Sequence, residues 1–132
     1  MKFRKAGLFG FACALALATA SVTAEDKAPV YSNKWRIEVS DRSQSDGTIQ
    51  FRLTPKEGTP TDVSVTIAKG RGENDIAKDI RDAMKTALDA KAFHVEVDDG
   101  EDVLVKKKKG PDFALELVQT TVMATKLEIE KE

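Results

Sequence analysis

The stretch VSVTIAKGRGENDIAKDIRDAMKTALDAKAFHVEV, residues 63–97, decides the fold class because its hydrophobic period changes twice. Residues 63–67 alternate apolar with polar side chains, which is typical of a strand with one apolar face. Over residues 75–89 the apolar positions recur at helical spacing, and Asn74 before them is a plausible N-cap. From Phe93 the alternation returns. The stretch therefore predicts a strand, an amphipathic helix and a strand, in that order.

The same alternation extends outward from this stretch in both directions. It predicts strands near residues 34–40 and 48–54 on one side, and strands near 93–98, 103–106 and beyond Phe113 on the other. Half-polar strands indicate an antiparallel sheet with one face in water. The predicted fold class is α+β, with a mainly antiparallel sheet of about six strands (β-β-β-α-β-β-β) and one amphipathic helix packed on one face. One helix cannot cover such a sheet, so its apolar face is expected to curl, to form a small sandwich or to meet another subunit.

The acidic turn after Val97 constrains how the strands on its two sides pair. If the apolar residues of both strands share one face, Val97 lies opposite Val103 and His94 lies opposite Lys106. A two-residue loop would mix the faces, because a one-residue slip turns every side chain over. The sequence therefore predicts a loop of three or five residues.

The C-terminal segment allows two interpretations. Its apolar residues between Phe113 and Ile129 are mostly odd-numbered, and neither glycine nor proline interrupts them. Either one long strand runs to Glu130, or a turn falls near residues 119–121. Strands usually have about five or six residues, which favours the turn.

The N-terminal residues have the three zones of a secretory signal peptide. A basic segment, residues 1–5, precedes the uncharged segment 6–18, and small residues then lead to a cleavage site after Ala24, with Ala20 as a second candidate. The apolar run is too short to span a bilayer of about 30 Å. The predicted organisation is a signal peptide at 1–24 that is removed, a flexible leader at 25–33 and a single α+β domain at 34–132. The predicted location is the periplasm or the extracellular medium.

Removal of that peptide changes the composition that bears on partners. It carries three of the 21 basic residues, none of the 22 acidic residues, and the sole cysteine, Cys13. The remainder has 18 basic and 22 acidic residues, a net charge of −4. This balance argues against nucleic acid as a partner, and against a membrane after cleavage. Without cysteine, the domain is stabilised by burial alone.

Residues with catalytic potential are scarce. His94 is the only histidine, and no G-x-S-x-G motif occurs. Nucleophilic catalysis of the Ser-His or Cys-His kind needs a base beside the nucleophile. The sequence therefore predicts no catalytic residue, no enzyme activity and no cofactor.

The sharpest constellation consists of His94, Glu96 and Asp98. Their spacing on a strand places all three on one face, each about 7 Å from the next. This face is a conceivable metal site, with an acidic turn beside it. The plainer interpretation is a solvated strand face.

Two weaker signals remain. The Gly70-Arg71-Gly72 loop precedes a helix, whose N-terminus can hold an anion, although a simple loop-to-helix turn explains it as well. The run Lys106 to Lys109 is most simply a solvated hairpin tip facing acids. It could alternatively dock an acidic partner or a surface polysaccharide.

One longer pattern joins several of these features. A Val63–Ala68 strand, a glycine-containing loop, a helix opening on Asp75-Ile76-Ala77, a strand pair, and the segment Gly110–Leu115 follow one another within residues 63–118. This pattern resembles a β-α-β-β module of phage tail proteins and bacterial surface proteins. The resemblance implies a structural or assembly role without catalysis, and it assigns no functional residue.

Two classes of function remain open. The favoured class is an exported, non-enzymatic interaction module: a subunit, inhibitor or accessory protein that binds another protein or a surface macromolecule. The other class is a small-ligand or metal-ion binding protein, supported by His94, Glu96 and Asp98. Self-assembly into a homo-oligomer through the edge of the C-terminal strand is a third possibility.

Overall fold

The computed structural model describes residues 28–132, in which seven strands and one helix follow one another. The predicted signal peptide and the start of the predicted leader lie outside the described residues. The elements are β1 Lys34–Ser40, β2 Gly47–Pro55, β3 Thr61–Ile67, α1 Glu73–Ala87, β4 Phe93–Asp98, β5 Asp102–Lys107, β6 Phe113–Thr120 and β7 Lys126–Lys131.

The strands form two antiparallel sheets. The four-stranded sheet has the order β4-β5-β1-β7, and the three-stranded sheet has the order β3-β2-β6. The predicted α+β class and the antiparallel pairing are confirmed. The predicted sheet of about six strands is corrected to seven strands divided between two sheets. Alternation within a strand shows which side chains are buried, but it does not show which other strand is the neighbour.

The apolar faces of the two sheets share one core. Ile37 on β1, Phe51 on β2 and Ile67 on β3 are fully buried in it. The indole N–H of Trp35 donates to the carbonyl of Phe113 at 2.9 Å, which links the two sheets through a buried hydrogen bond. The apolar face that one helix leaves uncovered is therefore covered by the other sheet.

Helix α1 closes one side of this sandwich. It contacts β3 of the three-stranded sheet and β4 of the four-stranded sheet, and its buried residues include Ile76, Ile80 and Met84. The helix begins at Glu73 with Gly72 as N-cap, which makes no side-chain capping bond. The predicted N-cap, Asn74, lies instead in the first turn.

The pairing of β4 with β5 follows the predicted register. Val97 lies opposite Val103, and His94 lies opposite Lys106. The connecting loop consists of residues 99–101, where Asp99 and Gly100 have φ angles of 52° and 80°. The prediction of an odd-length loop is confirmed, because only an odd loop keeps both apolar sets on the core face.

The favoured break in the C-terminal segment is also confirmed. β6 ends at Thr120 and β7 begins at Lys126. The two strands belong to different sheets, so the segment between them crosses the sandwich and does not form a hairpin. Within β6, the register shifts from Leu117 opposite Phe51 to Gln119 opposite Gln50, which leaves Val118 as a bulge.

The predicted leader is attached to the fold at its end. The backbone N–H and C=O of Ser32 both bond to Phe113, at 2.9 Å each. Among the described residues, no helix is long and apolar enough to cross a membrane.

Candidate functional site

The outward face of the four-stranded sheet concentrates ionisable side chains. Even-numbered residues of β1, β4, β5 and β7 point away from the core, because successive side chains alternate. The register aligns one residue from each strand into a row of four carboxylates across the whole sheet: Asp98, Asp102, Glu38 and Glu128. This set is the acidic row.

Arg36 neutralises one end of the acidic row. Its guanidinium contacts Asp102 and lies 3.4 Å from Asp98. It also donates to Glu132 at 2.7 Å. The bond to Glu132, followed by that to Asp102, raises the pKa of Arg36. The same bond from Arg36 lowers the pKa of the Glu132 carboxyl. Arg36 is therefore fully charged and holds carboxylates from β4, β5 and the C-terminus.

Asp102 is buried, with 8% of its surface exposed. Its Oδ2 atom accepts the bond from Arg36, while Oδ1 is buried and has no hydrogen-bond partner among the described residues. Buried polar atoms are nearly always partnered, so this oxygen is an exception that calls for an explanation.

The other end of the acidic row has no basic side chain paired with it among residues 28–132. Glu38 and Glu128, together with Glu130, each offer one carboxylate oxygen, and these oxygens all lie within 4.8 Å of one another. These three residues form the carboxylate cluster. Over residues 28–132, no lysine or arginine nitrogen lies within 4.0 Å of them. Desolvation, followed by the charges of Asp102 and Glu128, raises the pKa of Glu38.

A groove of about 140 Å³ runs beside the carboxylate cluster. Glu38 and Glu128 line it, together with Ser40 and Lys126. The Lys126 ammonium is directed to Asp41, at 4.0 Å. The groove gives solvent access to the cluster.

The predicted metal residues lie on this same face at its opposite edge. His94 Nε2 lies 2.8 Å from Glu96 Oε1, and the other oxygen of Glu96 lies 3.5 Å from Lys106. The bond to His94, with the charge of Lys106, lowers the pKa of Glu96. The structure thus brings His94 and Glu96 together, whereas Asp98 contacts Arg36. Metal binding by these three residues stays a prediction.

Sequence reasoning missed the carboxylate cluster. Its residues occupy solvent-facing positions of the first and last strands, and the alternation of polar and apolar residues in both strands is visible in the sequence. What the sequence did not show is that β1 and β7 are neighbours, with Glu38 opposite Glu128. Strands separated by most of the chain carry no local signal of their pairing.

Two backbone amides of the loop Gly70-Arg71-Gly72 form hydrogen bonds within the chain. The N–H groups of Gly70 and Arg71 donate to the backbone carbonyl and the hydroxyl of Ser43, both at 2.9 Å. The Arg71 guanidinium pairs with Asp79 at 2.9 Å. These two amides are therefore not free to bind an anion.

The lysine run is also engaged largely within the chain. Lys107 pairs with Asp112 at 2.9 Å, and Lys108 donates to the Ala90 carbonyl at 3.0 Å. With Lys106 beside Glu96, these contacts fit the interpretation as a solvated hairpin tip facing acids.

On the side of the sandwich opposite α1, the outer edges of β6 and β7 are not paired with another strand of residues 28–132. In the β1–β7 ladder, Glu132 N–H donates to Lys34, so the even-numbered residues of β7 bond to β1. The backbone groups of Leu127, Ile129 and Lys131 consequently face outward, where no described strand pairs with them.

The edge of β6 is similar but partly covered. Lys56 N–H donates to Asp112, which places even-numbered residues of β6 toward β2. Ser32 pairs with the outer edge at Phe113, and the backbone groups of Leu115 and Leu117 beyond it face outward. The side chains of Leu117, Leu127 and Ile129 are only partly buried here. The edges of β6 and β7 with these side chains form the open side.

Comparison of the chain with known protein families and with curated proteins found no match.

Proposed function

We propose that the chain is an exported, non-enzymatic interaction module that binds another protein at the open side. The observation that carries the proposal is the pair of free strand edges at β6 and β7, with half-buried apolar side chains between them. An extended segment added to such an edge gains backbone hydrogen bonds, and alternate side chains give it specificity. On the side of the sandwich opposite the open side, α1 covers the core. A bound partner would cover the core in the same way at the open side.

The charge of β7 indicates the chemistry of the partner. Glu128 and Glu130 occupy its wet face, and Leu127 and Ile129 face the core. A segment that alternates basic with apolar residues therefore fits this edge, because opposite charges in cross-strand pairs are favourable.

The same charges disfavour pairing between two copies of β7. Two copies of β7 could pair antiparallel, with their apolar faces on the same side, in two registers that align the middle of the strand. One register places Glu128 opposite Glu128 of the other copy, and the second places Glu128 opposite Glu130. Like charges directly opposite are destabilising. Lys126 and Lys131 at the ends of β7, and the bulge at Val118 in β6, are further features that protect natural edges from self-pairing. A different protein is therefore the favoured partner over a homo-oligomer.

The test is a crosslinked pull-down with the tagged protein from its own exported fraction, read by mass spectrometry with a chelator present. Two variants each change one edge. Val118→Lys adds a charge at an exposed position of β6, and Lys131→Pro removes an outward N–H of β7, where proline is tolerated. Thr66→Lys, at an exposed position of β3, is the matched control.

The expected result is one dominant partner, recovered equally by the native protein and by Thr66→Lys, and reduced at least tenfold by an edge variant. Addition of that partner is expected to slow amide exchange in β6 and β7. Equal recovery by all variants places the binding surface elsewhere and contradicts the proposal. Recovery of the chain alone, with large species in light scattering, favours self-assembly.

A further inference from the structure

We infer that the protein binds a small aromatic carboxylate in a pocket between the C-terminal end of α1 and the edge strand β4. The pocket has a volume of about 170 Å³, and it is lined by residues of α1, of the loop that follows α1, of β4 and of the hairpin tip after β5. We call it the α1–β4 pocket. It lies on the α1 side of the sandwich, so it is separate from the open side and independent of the partner proposed there.

The first observation is the apolar inner wall of the α1–β4 pocket. Leu88 and Val95 are buried members of the core, and Phe93 packs against that core partly buried. The Phe93 ring lies edge-to-face on the Phe113 ring, with the two centroids 5.2 Å apart, so this wall is held in place. An apolar cavity of roughly 150 Å³ can hold benzene. The pocket therefore has room for one aromatic ring.

The second observation is the charge around the pocket. Lys85, His94 and Lys108 line it, and none of its lining residues within 28–132 is acidic. A hydrogen bond from the Lys108 ammonium to the Ala90 carbonyl, at 3.0 Å, holds that side chain across the loop after α1. No carboxylate oxygen of the described residues lies within 4.0 Å of either lysine ammonium. Two exposed ammonium groups without acidic partners favour an anionic ligand.

The third observation is a backbone donor beside the apolar wall. Lys108 N–H donates to the Ala92 carbonyl at 2.6 Å, so the even-numbered residues of β4 bond to β5 in their antiparallel ladder. The N–H of Val95 consequently points away from β5, at an edge where no described strand pairs with β4. Val95 is buried and lines the pocket. A carboxylate oxygen suits such an amide, because hydrogen bonds to charged groups are stronger than neutral ones.

These observations together select the class of ligand. An aromatic monocarboxylate can place its ring against Leu88 and Phe93 and its carboxylate toward the two ammonium groups and the Val95 N–H. Small-ligand sites commonly combine an apolar lining with a few polar groups that fix the orientation. An inorganic anion would leave the apolar wall unused, and a neutral aromatic would leave the ammonium groups without a partner. Benzoate, with one ring and one carboxylate, is the simplest probe.

The test is titration of the ¹⁵N-labelled protein with sodium benzoate at neutral pH, followed by NMR. We expect saturable shifts of the Leu88 and Val95 amide signals. The dissociation constant is expected to lie below about 10⁻³ M, which a ligand of about nine non-hydrogen atoms can reach. Benzamide has the same ring without the charge, and acetate has the charge without the ring. Each is expected to bind at least about fivefold more weakly, because each loses one of the two kinds of contact.

Two variants locate the site. Lys85→Gln and Lys108→Gln each remove one ammonium group at an exposed position, and each is expected to weaken benzoate binding at least about threefold. The double variant is expected to weaken it at least tenfold. Lys78→Gln is the matched control, because Lys78 is an exposed lysine of the same helix that does not line the pocket. It should bind benzoate normally.

Four results would overturn the inference. One is the absence of saturable shifts at Leu88 and Val95 with benzoate. Acetate binding as tightly as benzoate would show that only surface charge attracts the anion. Benzamide binding as tightly as benzoate would show that the ammonium groups play no part. An equal loss of binding in Lys78→Gln would show that the effect follows the total charge of the protein and not this pocket.

Discussion

Ser43 illustrates how single polar residues hold the loops of this protein. The side chain of Ser43 is buried. Its hydroxyl donates a hydrogen bond to the Ala68 carbonyl at 2.7 Å and accepts one from the Arg71 amide at 2.9 Å. Its own amide donates to the Arg71 carbonyl at 3.0 Å. One residue thus joins the β1–β2 loop to the loop that enters α1.

Ser43→Ala is expected to lower the free energy of unfolding by about 1 kcal/mol, because it removes the hydrogen bonds of a buried hydroxyl to the Ala68 carbonyl and to the part-buried Arg71 amide. Urea denaturation measures the change. Ser64→Ala, at an exposed position of β3, is the control and should stay within about 0.5 kcal/mol of the native protein. Equal stability of the two variants would mean that water replaces the Ser43 hydroxyl at no cost.

The exposed pair Arg52–Asp62 predicts a pH response at a single residue. The Arg52 Nε atom donates to Asp62 at 2.7 Å, and this bond lowers the pKa of Asp62 below its ordinary value of 3.8. A carboxyl with a lowered folded-state pKa stabilises the fold above its unfolded-state pKa. That contribution is lost as the pH falls through the folded-state pKa.

NMR titration of the Asp62 carboxyl measures this directly. Arg52→Gln is expected to return the pKa of Asp62 toward 3.8, whereas Arg81→Gln, which removes an arginine paired with Asp82, should leave it unchanged. An unaltered Asp62 titration in Arg52→Gln would show that the pair does not persist in solution.

At the scale of elements, the decisive feature is the crossing between the two sheets after β6. The crossing segment passes over the start of β2, where Thr121 N–H donates to the Thr48 carbonyl at 3.0 Å. A Cβ atom on Gly47 would lie 2.8 Å from Thr121 Oγ1 and 2.9 Å from the backbone of Thr121 and Val122. Glycine therefore permits this close approach of two backbones.

Gly47→Ala is expected to destabilise the protein by about 1–3 kcal/mol, because backbone must move to admit the methyl group. Chemical denaturation measures the loss. Gly72→Ala is the control, since its added Cβ meets no atom closer than 3.7 Å and its φ of −74° suits alanine. A loss at Gly72 as large as at Gly47 would contradict the steric explanation.

At the scale of the whole molecule, stability comes from one core between two sheets and a helix. The described part of the chain contains no cysteine, and Cys13 belongs to the predicted signal peptide. Burial must therefore supply the stability that disulfides supply in many small exported domains.

The predicted signal peptide implies a mature chain that begins at Glu25, and intact-mass measurement of the protein recovered outside the cytoplasm tests this. Its thermal midpoint should be the same with and without reductant, because no cysteine remains. A mass that includes Cys13 would contradict the predicted cleavage site. The uncleaved protein, kept from export, provides the reference mass.

The sequence by itself determined the features that depend on near neighbours. Periodicity gave the strands, the helix and the face that each presents to the core, since side-chain direction repeats every two residues in a strand. The requirement that the apolar residues on both sides of the acidic turn share one face predicted the register of β4 with β5, including Val97 opposite Val103. Local rules failed at the start of α1, where Gly72 and not Asn74 is the N-cap.

Only the tertiary structure decided the division into two sheets and the location of the carboxylate cluster. β1 lies between β5 and β7, and Glu38 faces Glu128 from the other end of the chain. A strand with alternating apolar and polar residues can bury its apolar face beside any strand of similar pattern. Its sequence therefore does not specify which strand pairs with it. Pairing is chosen by the packing of the whole core, and the chemistry of the outward face follows from that choice.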